Sequence, residues 1–383
     1  MTKNETLSAF GFLATILVVM CHVDNFMAPE RQTFLVRYFG DWFTAANTAN
    51  FFVLSGYFLG CRFGEDGWYG KALLKRLRTL LVPYVLWSLI YLAICVLIVG
   101  LKNHDWVLPT FKEPFFGIAS IFGIGWNKQS FDFPLWYIKT LFYFIIVSAP
   151  FFYLIKRSVW WLYGFVVGCL VAYFAFPQQA DAIRYCFPLV QFGAFLVGAA
   201  FALRGWSVHI PKKAVLGAGA LVVWALLSWL AMSFNGCLGR VFGVVNVAGS
   251  MACLYVVVSS FSVSIPQWAS RSSFFVYAAY WIFLILLSRL PCPAISAFCV
   301  YSLRLTITLV VLIGLSRLLD RFMPRLNSLL LWRPRMMTTY FSFIPTTWLG
   351  NWLFQYATAL ARGGEVNMGS SRLSMMREFG IIH

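Results

Sequence analysis

The stretch Leu7-Ser8-Ala9-Phe10-Gly11-Phe12-Leu13-Ala14-Thr15-Ile16-Leu17-Val18-Val19-Met20-Cys21-His22 carries no Lys, Arg, Asp or Glu and closes on a histidine. With its flanks it is long enough to cross a hydrocarbon core as a helix, which takes about 20 apolar residues. Runs of the same kind recur at 7–27, 42–60, 79–100, 134–155, 158–176, 185–203, 214–234, 241–261, 272–290 and 294–315. The chain is 61% hydrophobic and 11% charged, with a mean hydropathy of +0.76. This composition excludes a soluble domain and predicts an all-α integral membrane protein with about ten transmembrane helices. A β-barrel would show short alternating segments, whereas these runs are continuous and about twenty residues long. A signal peptide would account for the first run only. That run lacks a small-x-small cleavage site, and the rest of the chain is equally apolar.

The basic residues test the topology. Lys3, the group Arg62, Lys71, Lys75, Arg76 and Arg78, then Lys156, Arg157, Arg204, Lys212, Lys213, Arg271 and the series from Arg317 to Arg335 fall in alternate connections. They outnumber those of the opposite connections (Arg31, Arg37, Lys102, Lys112, Lys128, Arg184, Arg240 and Arg289) by about two to one, which predicts both termini in the cytoplasm. The net charge of +17 is then mostly topogenic. Because these charges flank apolar spans and form no stripe, no nucleic-acid partner is expected. The 9 cysteines show no CxxC pair and no Cys/His spacing, so no metal is expected. Cys237 and Cys292 lie closest to outer loops, where a bridge is conceivable; otherwise the thiols are packing residues.

No repeat, linker or soluble domain interrupts the chain before residue 316. Two regions are expected: a membrane domain over 1–335 and a cytoplasmic tail over 336–383. The longest outer loop, 101–133, contains an apolar stretch from Pro114 to Gly123 that is too short to span and is expected to lie at the interface or re-enter. In the inner loop 61–78, Lys71, Lys75 and Arg78 recur at helical spacing. They suit either an anchor on anionic lipid or a cationic rim for a phosphate-bearing cofactor.

His22 is the leading functional candidate. An ionisable ring in a membrane helix is costly, and histidine titrates near neutrality, which suits proton transfer. His104, His209 and His383 fall in loops or the tail. Two cations also lie inside expected helices. Lys139 is about a turn below the outer surface, within snorkelling reach. Arg304 is near the middle of the tenth span, where a wet cavity or a polar partner must receive it.

Six landmarks in order resemble the membrane acyltransferase-3 family. They are Val18-Val19-Met20-Cys21-His22, Phe51-Phe52-Val53-Leu54-Ser55-Gly56-Tyr57-Phe58-Leu59, and the basic run Lys75-Arg76-Leu77-Arg78 leading into Pro83-Tyr84-Val85-Leu86-Trp87. Leu135-Trp136-Tyr137-Ile138-Lys139 with Ser148-Ala149-Pro150, Ser273-Phe274-Phe275-Val276-Tyr277, and Arg321-Phe322-Met323-Pro324-Arg325 complete the series. The resemblance implies a multi-pass O-acyltransferase of the bacterial plasma (inner) membrane. Such enzymes move an acyl group, often acetyl, from acyl-CoA to a hydroxyl of a lipid-linked or surface glycan. It implies His22 as the general base and Arg76 and Arg78 as ligands of the coenzyme A phosphates, with Arg304 deeper along the donor path. Lys139 would meet the acceptor or the oxyanion.

Two positions depart from the family pattern. The family's first helix carries Arg eleven residues before the His, on the same face and about 16 Å away; here that residue is Gly11. Many relatives carry His three residues after the ninth-helix Tyr; here it is Tyr280, which can donate a hydrogen bond but titrates far above neutrality. An inactive family member is therefore one alternative, and a transporter of lipid-linked glycan is the other. The latter lacks an inverted repeat and paired broken helices in this sequence. Within the first segment Asp24 is expected to point away from His22, so an acid elsewhere, such as Asp132, would have to orient the ring. Finally, Gly350-Asn351-Trp352-Leu353-Phe354-Gln355-Tyr356 resembles the start of an α-1,2-fucosyltransferase. The fragment leaves no room for a nucleotide-sugar domain, so fucosyl transfer by this chain is not expected.

Overall fold

The computed structural model describes residues 3–65, 67–103, 133–176, 188–290 and 295–331. Among these residues every regular element is helical. The principal helices are α1 (Lys3–Val23), α2 (Asn47–Gly60), α3 (Trp68–Arg76), α4 (Val82–Asn103), α5 (Trp136–Arg157), α6 (Trp160–Ala175), α7 (Leu189–Leu203), α8 (Ala214–Ser233), α9 (Gly236–Ser260), α10 (Gln267–Ser288) and α11 (Ala297–Phe322). Among the described residues seven helical segments are long and apolar enough to cross a membrane. The other expected spans are present as shorter helices: α2 with 14 residues, α6 with 16 and α7 with 15. The chain is an all-α integral membrane protein.

The packing is that of a protein solvated by lipid. Large apolar side chains point outward, such as Val215 at 81% exposure and Trp160 at 75%, while Thr15, Asn50, Ser148, Asn246 and Thr308 are buried inside. With lipid outside, burying hydrocarbon gives no drive to association, so close packing and internal hydrogen bonds hold the helices together. The α2–α7 contact shows the first. A Cβ at Gly56 would lie 1.9 Å from the Phe195 carbonyl oxygen, and one at Gly198 would lie 1.9 Å from that of Val53. The two backbones touch because both positions lack a side chain. Hydrogen bonds tie α8 and α9 to the segment before α2. Trp224 Nε1 donates to the Phe43 carbonyl (3.0 Å), and Asn246 Nδ2 donates to that of Trp42 (2.7 Å).

One boundary differs from the sequence reading. The segment 61–78 is not a loop throughout: α3 starts at Trp68 and continues through a π-turn, Leu77–Leu81, into α4. Trp68 and Ala72 are buried, and the Trp68 ring stacks on Phe152 of α5 at 5.7 Å. Lys71 and Lys75 stay exposed along the edge of that face. The helical spacing of the basic residues therefore belongs to an amphipathic helix, whose apolar face is hidden when only the charges are counted. Two distant landmarks also meet. Trp87 Nε1 donates to the Leu330 carbonyl (3.2 Å), which docks the short helix Pro324–Leu330 against α4.

α1 occupies the middle, packing on α2, α9, α10 and α11. Its buried stripe runs through Ala9, Ala14, Thr15, Val18, Val19 and Val23. The stretch Pro114–Gly123, Asp132, Cys292 and the fucosyltransferase-like residues 336–383 lie outside the described residues.

Candidate active site

His22 stands on the last turn of α1, half-buried. The Tyr280 ring of α10 stacks on it at 5.6 Å with 6° between the planes, and the Trp281 edge closes a second side at 5.5 Å. Tyr280 itself is fully buried. The two family-motif positions, far apart in sequence, are thus face to face. The face-to-face geometry limits how the imidazole can turn, and the third constraint is Asn25, whose side-chain amide lies 3.2 Å from His22 Nδ1. Sequence reasoning looked for an acid and passed over Asn25. The signal was its spacing: Asn25 follows His22 by three residues, and α1 gives way there to the 3-10 turn Asp24–Phe26. On a helix, side chains three apart are neighbours on one face.

The turn begins because Asp24 takes the Asn25 backbone N–H on its own carboxylate (2.9 Å), in competition with the helix. It is fixed from other elements as well. Arg304 of α11 donates from Nη1 to the Phe26 carbonyl (2.7 Å), and the Tyr301 hydroxyl donates to that of Met20 (2.8 Å). Arg304 is therefore received by a backbone carbonyl at the His22 end of α1. Asp24 is buried beside Gly40, where a Cβ would come within 3.0 Å of its carboxyl carbon.

Arg76 occupies another part of the molecule. It is half-buried at the end of α3, within electrostatic reach of the Tyr137 hydroxyl and of Arg62. Tyr137 is linked to Ser55 of α2 at 2.9 Å. From there tyrosines lead back to the histidine, with ring centroids 6.0 Å apart for Tyr137–Tyr277 and 6.4 Å for Tyr277–Tyr280. Tyr277 is anchored by donating its hydroxyl to the Pro134 carbonyl. A continuous aromatic column thus joins the Arg76 region to His22, with Ser55 alongside as a hydrogen-bonding residue. Arg78 follows on the π-turn, and its side chain falls outside the described residues. Lys139 is half-buried on α5, two residues past Tyr137, hence about 200° around the helix from it.

Gly11 faces a cavity of ≈ 380 Å³ between α1, α2 and α10, lined by Ser8, Phe51, Leu54, Ser270 and Ser273 among others. A Cβ at position 11 would make only an ordinary contact, 3.5 Å from Leu54 Cδ1. The position where the family pattern has Arg thus accepts a side chain without a clash, and Ser8 and Ser270 are bonded to each other at 2.6 Å beside it.

Neither curated proteins nor solved structures gave a match to the chain. Protein-family comparison, in contrast, matches residues 11–321 to the Acyltransferase domain, Acyl_transf_3. That match takes in His22, Arg76, Lys139, Tyr280 and Arg304 and covers most of the chain, which therefore belongs to the acyltransferase-3 family of membrane acyltransferases.

Proposed function

We propose that this protein transfers an acyl group, acetyl in the simplest case, from acyl-CoA to a sugar hydroxyl of a lipid-linked or surface glycan at the bacterial plasma (inner) membrane. His22 is the general base. It takes the proton of the acceptor hydroxyl as the oxygen attacks the thioester carbonyl carbon. Collapse of the tetrahedral intermediate breaks the C–S bond, and the departing thiolate receives the proton from the imidazolium. The products are an O-ester and free coenzyme A. Phosphates of the donor meet Arg76 and Arg78, where charge-assisted bonds to guanidinium are strongest.

The observation that carries this reading is the setting of His22 in a member of an acyltransferase family: a lone imidazole at a helix end, oriented by two rings and an amide. A positioned base contributes about 10²–10⁴-fold to such a reaction. Membranes carrying His22→Ala are expected to lose that factor in transfer of label from radioactive acetyl-CoA into base-labile glycan ester. Undiminished transfer at equal expression would remove His22 from the chemistry. Weakened acetyl-CoA binding in Arg76→Ala membranes is the companion expectation, and unchanged affinity would dismiss the donor assignment.

A further inference from the structure

Asn25 has a place at the site and no role in the reaction as described so far. We propose that it is the positioning residue of His22, setting which ring nitrogen carries the proton. The inference rests on His22 acting as the base.

In the structure Asn25 Nδ2 lies 3.2 Å from His22 Nδ1, and a half-turn of the amide would leave the proton-accepting role to Nε2. An asparagine amide presents NH₂ on one side and oxygen on the other, exchanged by a half-turn of the side chain. With nitrogen towards the ring, Nδ1 accepts and the ring proton sits on Nε2, where it blocks the base. With oxygen towards the ring, Nδ1 donates and Nε2 carries the lone pair that takes the acceptor's proton. Once Nε2 has taken that proton both ring nitrogens are donors, and only the oxygen side meets the Nδ1–H of the imidazolium. The oxygen-inward amide thus selects the working tautomer and stabilises the charged ring, as the third member of a catalytic triad does.

The surroundings fit a positioning device. The 3-10 turn that lays Asn25 over His22 is held at Asp24 by the Met27 N–H (2.8 Å) and at Phe26 by Arg304 (2.7 Å). Stacking on Tyr280 fixes the plane in which Nδ1 meets the amide. Asn25 itself is exposed, so replacing it perturbs the ring more than the core.

The test uses the full chain. In native membranes, transfer from radioactive acetyl-CoA to endogenous glycan is followed for Asn25→Leu, Asn25→Asp and His22→Gln. In nanodiscs, ¹⁵N-histidine spectra report the tautomer, with the His22 signal identified by its absence in His22→Gln. Asn25→Leu is expected to lower kcat about 10- to 100-fold while KM for acetyl-CoA stays within about 2-fold. Its His22 signal should lose the Nδ1–H pattern. Asn25→Asp, which still accepts from Nδ1–H, should recover most of the rate. Full activity in Asn25→Leu, an unchanged ¹⁵N pattern, or equal impairment by Leu and Asp would overturn the inference while leaving His22 as the base. Full transfer by His22→Gln would instead overturn the proposed function and this inference with it.

Discussion

At the scale of single residues, Tyr280 carries the most instructive difference from the family pattern. A histidine there would add a second titrating ring; the tyrosine instead lays a full aromatic face on His22 and is completely buried. Its contribution then lies in the ring more than in the hydroxyl. Tyr280→Phe should keep acyl transfer within about 3-fold, because offset stacking survives loss of the hydroxyl. Tyr280→Ala should cost about 3 kcal/mol of stability through the cavity it leaves. Transfer assays and thermal denaturation of the purified variants separate the two. A large loss in Tyr280→Phe would restore a direct role to the hydroxyl. His22 was legible as a candidate because a histidine inside an apolar run is conspicuous. Asn25 was not, because an α-helical reading puts no special weight on a polar residue after the apolar run ends. The partner became visible only when the backbone tightened into the 3-10 turn.

At the scale of elements, glycines decide how closely helices approach. Gly56 and Gly198 place the backbones of α2 and α7 in direct contact, and Gly60 continues the same seam against Ala199 and Ala202. Gly56-x-x-x-Gly60 is the small-residue spacing that allows such approach in membranes. Gly198→Ala is expected to lower thermal stability in detergent by about 1–3 kcal/mol, the usual cost of overpacking. Gly168 on α6 is the contrasting case: nothing lies within 4 Å of its missing Cβ. There the same change should raise stability by about 0.5–1 kcal/mol, because alanine loses less backbone freedom in a helix. Equal effects at the two sites would contradict the packing account. The α2 seam could be anticipated from the glycine spacing alone. Its partner helix could not, since nothing in residues 47–60 names α7. The start of α3 at Trp68 was hidden for a related reason: its apolar face packs on α5, and only its charges stood out.

At the scale of the whole molecule, the helices sort their ends by charge. The Ser8–Ser270 hydrogen bond joins the starts of α1 and α10, and Arg317 of α11 lies 4.8 Å from the Trp268 ring at that same end. Lys156 of α5 donates to the Leu203 carbonyl, and Gly60 meets Ala202, which adds the ends of α5, α7 and α2. Arg62, Arg157, Arg204 and Arg271 follow or flank these ends, so the structure gathers the charge that the sequence scatters. By the positive-inside rule we propose that this end faces the cytoplasm. Cys61 lies at the basic end and Cys237 at the opposite one, both exposed. In single-cysteine variants on intact cells, a membrane-impermeant maleimide should label Cys237 and spare Cys61. The reverse pattern would invert the topology and put His22 on the cytoplasmic side. The sequence by itself determined that this chain is a helical membrane protein and which histidine to suspect, because apolar run length and the cost of a buried ionisable ring are local properties. Only the tertiary structure decided that Tyr280, Trp281 and Asn25 surround that histidine, that Arg304 serves its turn, and that a column of tyrosines runs from it towards the Arg76 region. Those relations depend on crossing geometry between helices far apart in the chain, and no local pattern encodes them.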